Sequence, residues 1–268
     1  MNYKLAYPVS SADYRGELMG FSEDYETVFP FLKECGFSGI ELLVRDPEAV
    51  DTDHLDRCLE ESELCVAAIG TAPMQKSDHL FLLHKDEKVR QEARRRCSGL
   101  LRLCARYNAV LLIGKYRGMI DEEISGCAWA DLACVMKGIC EEAESLGVTV
   151  LLEPQNPSNI NNIITIDEAL EWIRTSGIPN LGILADTYHM EMTEASVCES
   201  LEKAGRKIGF FHMSDTDRKS PGNGRLDFEE IVNGLDRIGY NGFVSFEINQ
   251  IPDSRTAAKN CSRSFLQN

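Results

Sequence analysis

The chain is poor in positive charge: 28 Lys and Arg stand against 43 Asp and Glu, a net charge of −15. Nucleic-acid surfaces need a basic patch, and anionic membranes attract basic segments. The balance therefore argues against both partners and for a soluble chain. The same field repels polyanions, so a heavily phosphorylated substrate is disfavoured unless a local basic pocket overrides it. No apolar run approaches transmembrane length, and MNYKLAYPVS lacks the profile of a signal peptide. No Cys-x-x-Cys pair occurs, which argues against a thiolate zinc site or redox motif. No G-x-G-x-x-G or P-loop is present to support a nucleotide-binding fold. Cysteine itself is not scarce, at ten. However, Cys35, Cys58, Cys97, Cys104, Cys134 and Cys140 fall inside helical patterns, where Cys acts as a small apolar residue. A reducing cytoplasm is the compartment this usage predicts.

What the chain does have is strands that end in charge. Glu153 closes VTVLLE, Asp186 closes LGILAD, His212 closes IGFFH and Glu247 closes GFVSFE. A charge at the end of a buried strand is costly unless it is paired or holds a metal. Two Glu, one Asp and one His form a hard, oxygen-rich set that suits Mn²⁺, Mg²⁺ or Co²⁺ better than Zn²⁺.

Eight strand-like runs alternate with amphipathic stretches. The predicted strands are 4–10, 39–45, 65–71, 110–115, 149–155, 182–189, 208–214 and 242–249. The predicted helices are 25–35, 53–61, 87–107, 121–146, 166–175, 195–204 and 228–238, with a last one at 254–265. Alternation of this kind means parallel strands with right-handed crossovers. Glycines at 36, 147, 177 and 239 mark helix ends before strands. With 268 residues and no linker, the reading is an α/β chain forming a single (β/α)₈ TIM barrel over 1–268, with its chemistry at the C-terminal strand ends. A doubly wound sheet does not explain four polar residues closing four consecutive strands. The longer segments 71–86, 116–123 and 214–226 are read as loops that build or cover the pocket.

Each site residue has a plainer alternative. Asp186 also fits a helix N-cap. His189, three residues on, falls at the same rim, and a lone His is often structural. Arg218 is returned toward the pocket by a turn-rich loop through Pro221, Gly222 and Gly224; its alternative is a loop ion pair with Asp215 or Asp217. Glu41 and Arg45 read as a polar network, Lys115 and Arg117 as pocket-facing residues without an assigned role, and Tyr7 and Asp13 as weaker pocket candidates. His54, His79 and His84 read as surface or loop residues.

The motifs E-P-x-N, D-T-Y-H-M and H-x-x-D-x-x-R-x-x-P-G-x-G, followed by a strand-borne Glu, resemble the ketose 3-epimerase branch of the xylose-isomerase-like barrels. I-E-L-L-V-R-D-P-E-A-V-D, A-A-I-G-T and T-I-D-E-A-L are similar to the 5-keto-L-gluconate epimerase type. The resemblance implies an isomerase that epimerises a keto-sugar or keto-sugar acid. It implies one divalent ion, Mn²⁺ before Mg²⁺ or Co²⁺, on Glu153, Asp186, His212 and Glu247. It makes Glu153 and Glu247 the acid/base pair, puts His189, Arg218 and Asn159 on the substrate, and suggests a homodimer or homotetramer. One departure stands out: many such enzymes continue E-P-x-N-R-Y-E, whereas Pro157 and Asn159 stand here. Other reactions of the same site are therefore rivals, including inosose or hydroxypyruvate isomerisation, dehydration and carbon–glycoside cleavage. So is a non-catalytic sugar-binding protein. An apurinic endonuclease is disfavoured, because strands 3 and 4 end in Gly70-Thr71 and Gly114-Lys115 without His.

Overall fold

Each apolar run becomes a strand paired in parallel with the next, and the last pairs with the first to close a barrel in the order β1 to β8. The computed structural model describes residues 3–121, 127–178 and 180–266. The strands are β1 (Lys4–Ser10), β2 (Gly39–Leu43), β3 (Cys65–Gly70), β4 (Val110–Ile113), β5 (Val150–Leu152), β6 (Leu181–Asp186), β7 (Ile208–His212) and β8 (Phe243–Ser245). The helices between them are α1 (Tyr25–Glu34), α2 (Thr52–Ser62), α3 (Ala72–Asp78), α4 (Glu87–Tyr107) and α5 (Ala128–Ser145). They continue as α6 (Ile166–Ser176), α7 (Thr187–Thr193), α8 (Val197–Ala204), α9 (Phe228–Arg237) and α10 (Ser254–Leu266).

Local signals set the helix ends. Asp51, Asp86, Thr165, Ser196 and Asp227 each accept a backbone N–H of the turn that follows. Those donors have no partner within the helix. Gly36, Gly147, Gly177 and Gly239 all take positive φ, as the helix-ending phrases predict. The core has two layers that follow the two-residue period of a strand. Ile69, Leu111, Ile113, Leu152 and Phe211 pack with the helices. Their neighbours Ala68, Leu112, Leu151, Leu184 and Phe210 form a smaller cluster within the barrel.

Most predicted strands run past the observed ones, which stop at Leu43, Gly70, Ile113, Leu152, Asp186, His212 and Ser245. At the C-terminal rim the strands part, and single bonds such as Glu153 N to Ile113 O (3.0 Å) extend the ladder by only one residue. After Asp186 the chain turns helical, so 187–189 belong to α7 and not to a strand. The 71–86 segment is not all loop: it contains α3, which has Pro73 in its first turn. Helix α5 begins at Ala128, and the part of its predicted span at 122–126, with the end of the 116–123 loop, lies outside the described residues.

Candidate active site

The rim places four side chains around one point. Glu153 follows β5, Asp186 ends β6, His212 ends β7 and Glu247 follows β8. Asp186 and His212 are opposite one another in the β6–β7 register, and His212 is opposite Ser245 in the β7–β8 register. One ligand atom from each of the four lies within 4.8 Å of the others. His212 Nδ1 is 3.5 Å from Glu247 Oε2, 3.8 Å from Asp186 Oδ2 and 4.0 Å from Glu153 Oε1.

His212 owes its orientation to Glu41. Its Nε2 lies 2.9 Å from Glu41 Oε2, which also accepts the Ser245 hydroxyl at 2.8 Å. The His proton therefore sits on Nε2 and Nδ1 faces the site, an assignment made from the hydrogen-bond partners. Nδ1 is buried without a hydrogen-bond partner, and so is Asp186 Oδ2. The other oxygen of Asp186 accepts Tyr188 N at 2.9 Å and caps α7. The N-cap reading and the site reading of Asp186 thus both hold, one on each oxygen. Three carboxylates and an imidazole with two unbonded buried lone-pair atoms are a donor set that fits a hard divalent cation.

Arg218 reaches across this group. Its Nη1 is 2.7 Å from Asp186 Oδ2, its Nη2 is 3.0 Å from Glu247 Oε2, and its guanidinium lies 4.2 Å from the Tyr188 ring centre. Neither ion pair has hydrogen-bond alignment, so Asp186 Oδ2 stays without a hydrogen bond. Arg218 therefore pairs with the strand-end acids and not with Asp215 or Asp217. Asp215 instead accepts the backbone N–H of Thr216, Gly222, Gly224 and Leu226 at 2.7–3.1 Å, and so folds the loop. Asp217 and Arg218 take φ of 60° and 57°, a conformation that costs non-glycine residues energy. Asn249 holds both in place, with Nδ2 on Asp217 O at 2.9 Å and N on Arg218 O at 2.7 Å.

His189 is positioned by Asn156, whose Nδ2 lies 2.8 Å from Nδ1. Asn156 Oδ1 accepts Ser158 N, which orients the amide. The His189 proton is then on Nε2, which is 3.7 Å from Glu153 Oε1 and 3.4 Å from Arg218 Nη2. Burial pushes its pKa down to about 4, so the ring is neutral. Burial, then Asp186 and Glu247, push the Glu153 carboxyl up to about 8. Burial also acts to raise Glu247, but Arg218 and His212 outweigh it and hold that carboxyl down to about 2. Without a cation, their surroundings thus push these two neighbouring carboxyls in opposite directions.

Several contributors were not legible in the sequence. Gln155 Nε2 donates to Glu153 Oε2 at 2.5 Å. Gly114 leaves room for both, since a Cβ there would fall far inside the 3.0 Å limit of real Cβ contacts with Glu153 Oε2. Arg117 is fully buried and does not line the cavity. Its guanidinium donates to the carbonyls of Gly114, Glu153, Asn162 and Ile163 and to Asn162 Oδ1, at 2.8–3.1 Å. Tyr7 is also buried outside the pocket, its ring against Phe21 and Phe37 and its hydroxyl on Gln250 Oε1. Asp13 accepts from Ser11 and does not line the cavity. Arg45 pairs with Asp78 away from Glu41. The cavity, about 390 Å³, is lined by Glu41, Lys115, Glu153, Asn159, His189, His212, Arg218 and Glu247 among others. A larger groove of about 470 Å³ between Leu83 and Val135 contains none of these groups.

A family model described as the xylose isomerase-like TIM barrel matches residues 29–265. The ketose 3-epimerase of Arthrobacter globiformis is 27% identical over 218 residues, covering 80% of this chain and 74% of the relative. The L-ribulose 3-epimerase of Mesorhizobium japonicum is 27% identical over 219 residues, covering 80% and 72%. Among solved structures, the apo 3-keto-D-glucoside 4-epimerase of E. coli superposes with a TM-score of 0.80 at 19% identity, covering 98% of this chain and 99% of the other. The fold is the same.

Proposed function

We propose a divalent-metal-dependent keto-sugar epimerase, on a plain premise: with residues 29–265 matched, this chain belongs to the xylose isomerase-like TIM barrel family. Its curated relatives are epimerases, a kind of isomerase. The observation that carries the reading is the buried, unbonded pair Asp186 Oδ2 and His212 Nδ1, turned toward Glu153 and Glu247. We assign Glu153, Asp186, His212 and Glu247 as ligands of one ion, with Mn²⁺ preferred by the hard donor set. When bound, such an ion polarises a carbonyl and stabilises an enediolate.

The chain's own residues do the rest. Glu247, held ionised by Arg218, removes the proton from the carbon beside the carbonyl. Glu153, the proton-bearing partner in this direction, returns one on the opposite face, which inverts that carbon. In the reverse direction the two exchange roles. His189 offers its Nε2–H to a substrate oxygen, Arg218 offers a planar fork, and Asn159 closes the rim. Among the described residues, no helix is long and apolar enough to cross a membrane.

The test is proton exchange in D₂O with added Mn²⁺ over a panel of ketohexoses, ketopentoses and keto-gluconates, followed by NMR. Deuterium at the carbon beside the carbonyl, with a new epimer, supports the reading. A new aldose moves the reaction to aldose–ketose isomerisation on a single face. Full turnover by Glu153→Gln or Glu247→Gln would sink the two-base scheme.

A further inference from the structure

We propose that the substrate carries an anionic group at the end away from the reacting carbonyl, and that Lys115 and Lys76 receive it. The inference rests on the epimerase reading of the same cavity. The acids that line this cavity are committed: Glu41 to His212 and Ser245, Glu153 to Gln155, and Glu247 to Arg218. Lys76 and Lys115 line the same cavity, and the ammonium of neither has an ion-pair or hydrogen-bond partner among the described residues. The two lysines thus bring two uncompensated positive charges to the rim of one cavity in a chain of net charge −15. With a divalent cation on the four strand-end groups, the floor of the site is close to neutral and the rim stays cationic.

The two lysines come from adjacent strand ends. Lys76 lies in α3, after β3, and half-buried Lys115 opens the turn after β4. Leu82 N to Tyr116 O (2.9 Å) and Leu83 N to Arg117 O (3.1 Å) bind the segment after β3 to that turn. The turn is rigid: Tyr116 donates to Ala93 O at 2.6 Å, and Arg117 clamps the carbonyls beside it. Lys115 is therefore presented from a fixed backbone, which lowers the ordering cost of binding. The neighbouring lining residues Thr71, Gln75 and Asn159 are uncharged and add no competing acid. An ammonium binds either a carboxylate or a phosphate as a point charge, so both keto-sugar acids and keto-sugar phosphates satisfy the rim.

The experiment has two arms on the Mn²⁺-loaded protein. In the first, D-gluconate, D-glucitol and D-glucitol 6-phosphate are titrated calorimetrically; none can be epimerised. We expect gluconate or the phosphate to bind at least about tenfold more tightly than glucitol. The preference between the two anions identifies the source. In Lys115→Met and Lys76→Met the ratio of anionic to neutral affinity should fall by severalfold. Equal binding of gluconate, glucitol 6-phosphate and glucitol would overturn the proposal, as would equal loss for all three in the lysine variants. In the second arm, kcat/KM is compared for keto-gluconates, ketose phosphates and neutral ketoses. Anion-selective binding without any turnover would refute only the epimerase reading. Efficient epimerisation of neutral ketoses with no anion preference would refute only the inference about the lysines.

Discussion

Glu41 accepts the Nε2 proton of His212 at 2.9 Å, and this one contact decides which ring nitrogen faces the site. Outer partners of a ligand His typically contribute 10–100-fold in metal affinity. We expect Glu41→Ala to weaken Mn²⁺ binding by about that factor while His212 remains in place. Metal titration with a fluorescent competitor measures it. Unchanged affinity would mean that Ser245 and the strand alone hold the imidazole.

Gly114 and Glu153 are complementary in shape across β4 and β5. A Cβ at Gly114 would fill the space that Glu153 Oε2 and Gln155 Nε2 occupy. Gly114→Ala should displace the Glu153 carboxylate, and kcat should fall by about 10²-fold, since small misplacements of a reacting group are costly. Melting temperature should change little by comparison. A variant with full kcat would show that Glu153 has room to give way.

Arg117 is a structural residue, although its position after β4 suggested the pocket. Its loss leaves the buried carbonyls of Gly114, Glu153, Asn162 and Ile163 without their donor. We expect Arg117→Met to cost about 3 kcal/mol, in the range for unsatisfied buried acceptors. Urea unfolding measures this. A loss of less than about 1 kcal/mol would show that water replaces the guanidinium.

Asp78 links stability to pH. Burial acts to raise its carboxyl pKa, but Arg45 at 2.8 Å and Arg96 at 2.5 Å outweigh it and hold it below the usual carboxylate range. A carboxyl depressed in the folded state contributes stability above its unfolded pKa, near 3.9, and loses it as pH falls through the folded value. Asp78→Asn should therefore be less stable than the parent at pH 6, with the difference shrinking as pH drops below about 4. A constant difference across that range would mean that the ion pairs contribute nothing titratable.

The four strand-end residues were readable in sequence because burying a charge at the end of an apolar strand is expensive, and such an expense marks chemistry or pairing. The strand–helix alternation and the helix-ending glycines were readable for a similar reason, since both are local properties of the backbone. What each neighbouring residue does was not. Arg218 binds Asp186 and Glu247 and not the acids beside it, because the loop is folded by Asp215 and the barrel brings distant strand ends together. Glu41 and His212 are 171 positions apart and meet only because the barrel interior places β2 and β7 across from one another. Gly114 and Arg117 owe their roles to groups in the segment after β5. Local periodicity thus determined the elements and the four charged strand ends, and only barrel closure, which pairs residues without regard to sequence distance, decided their partners.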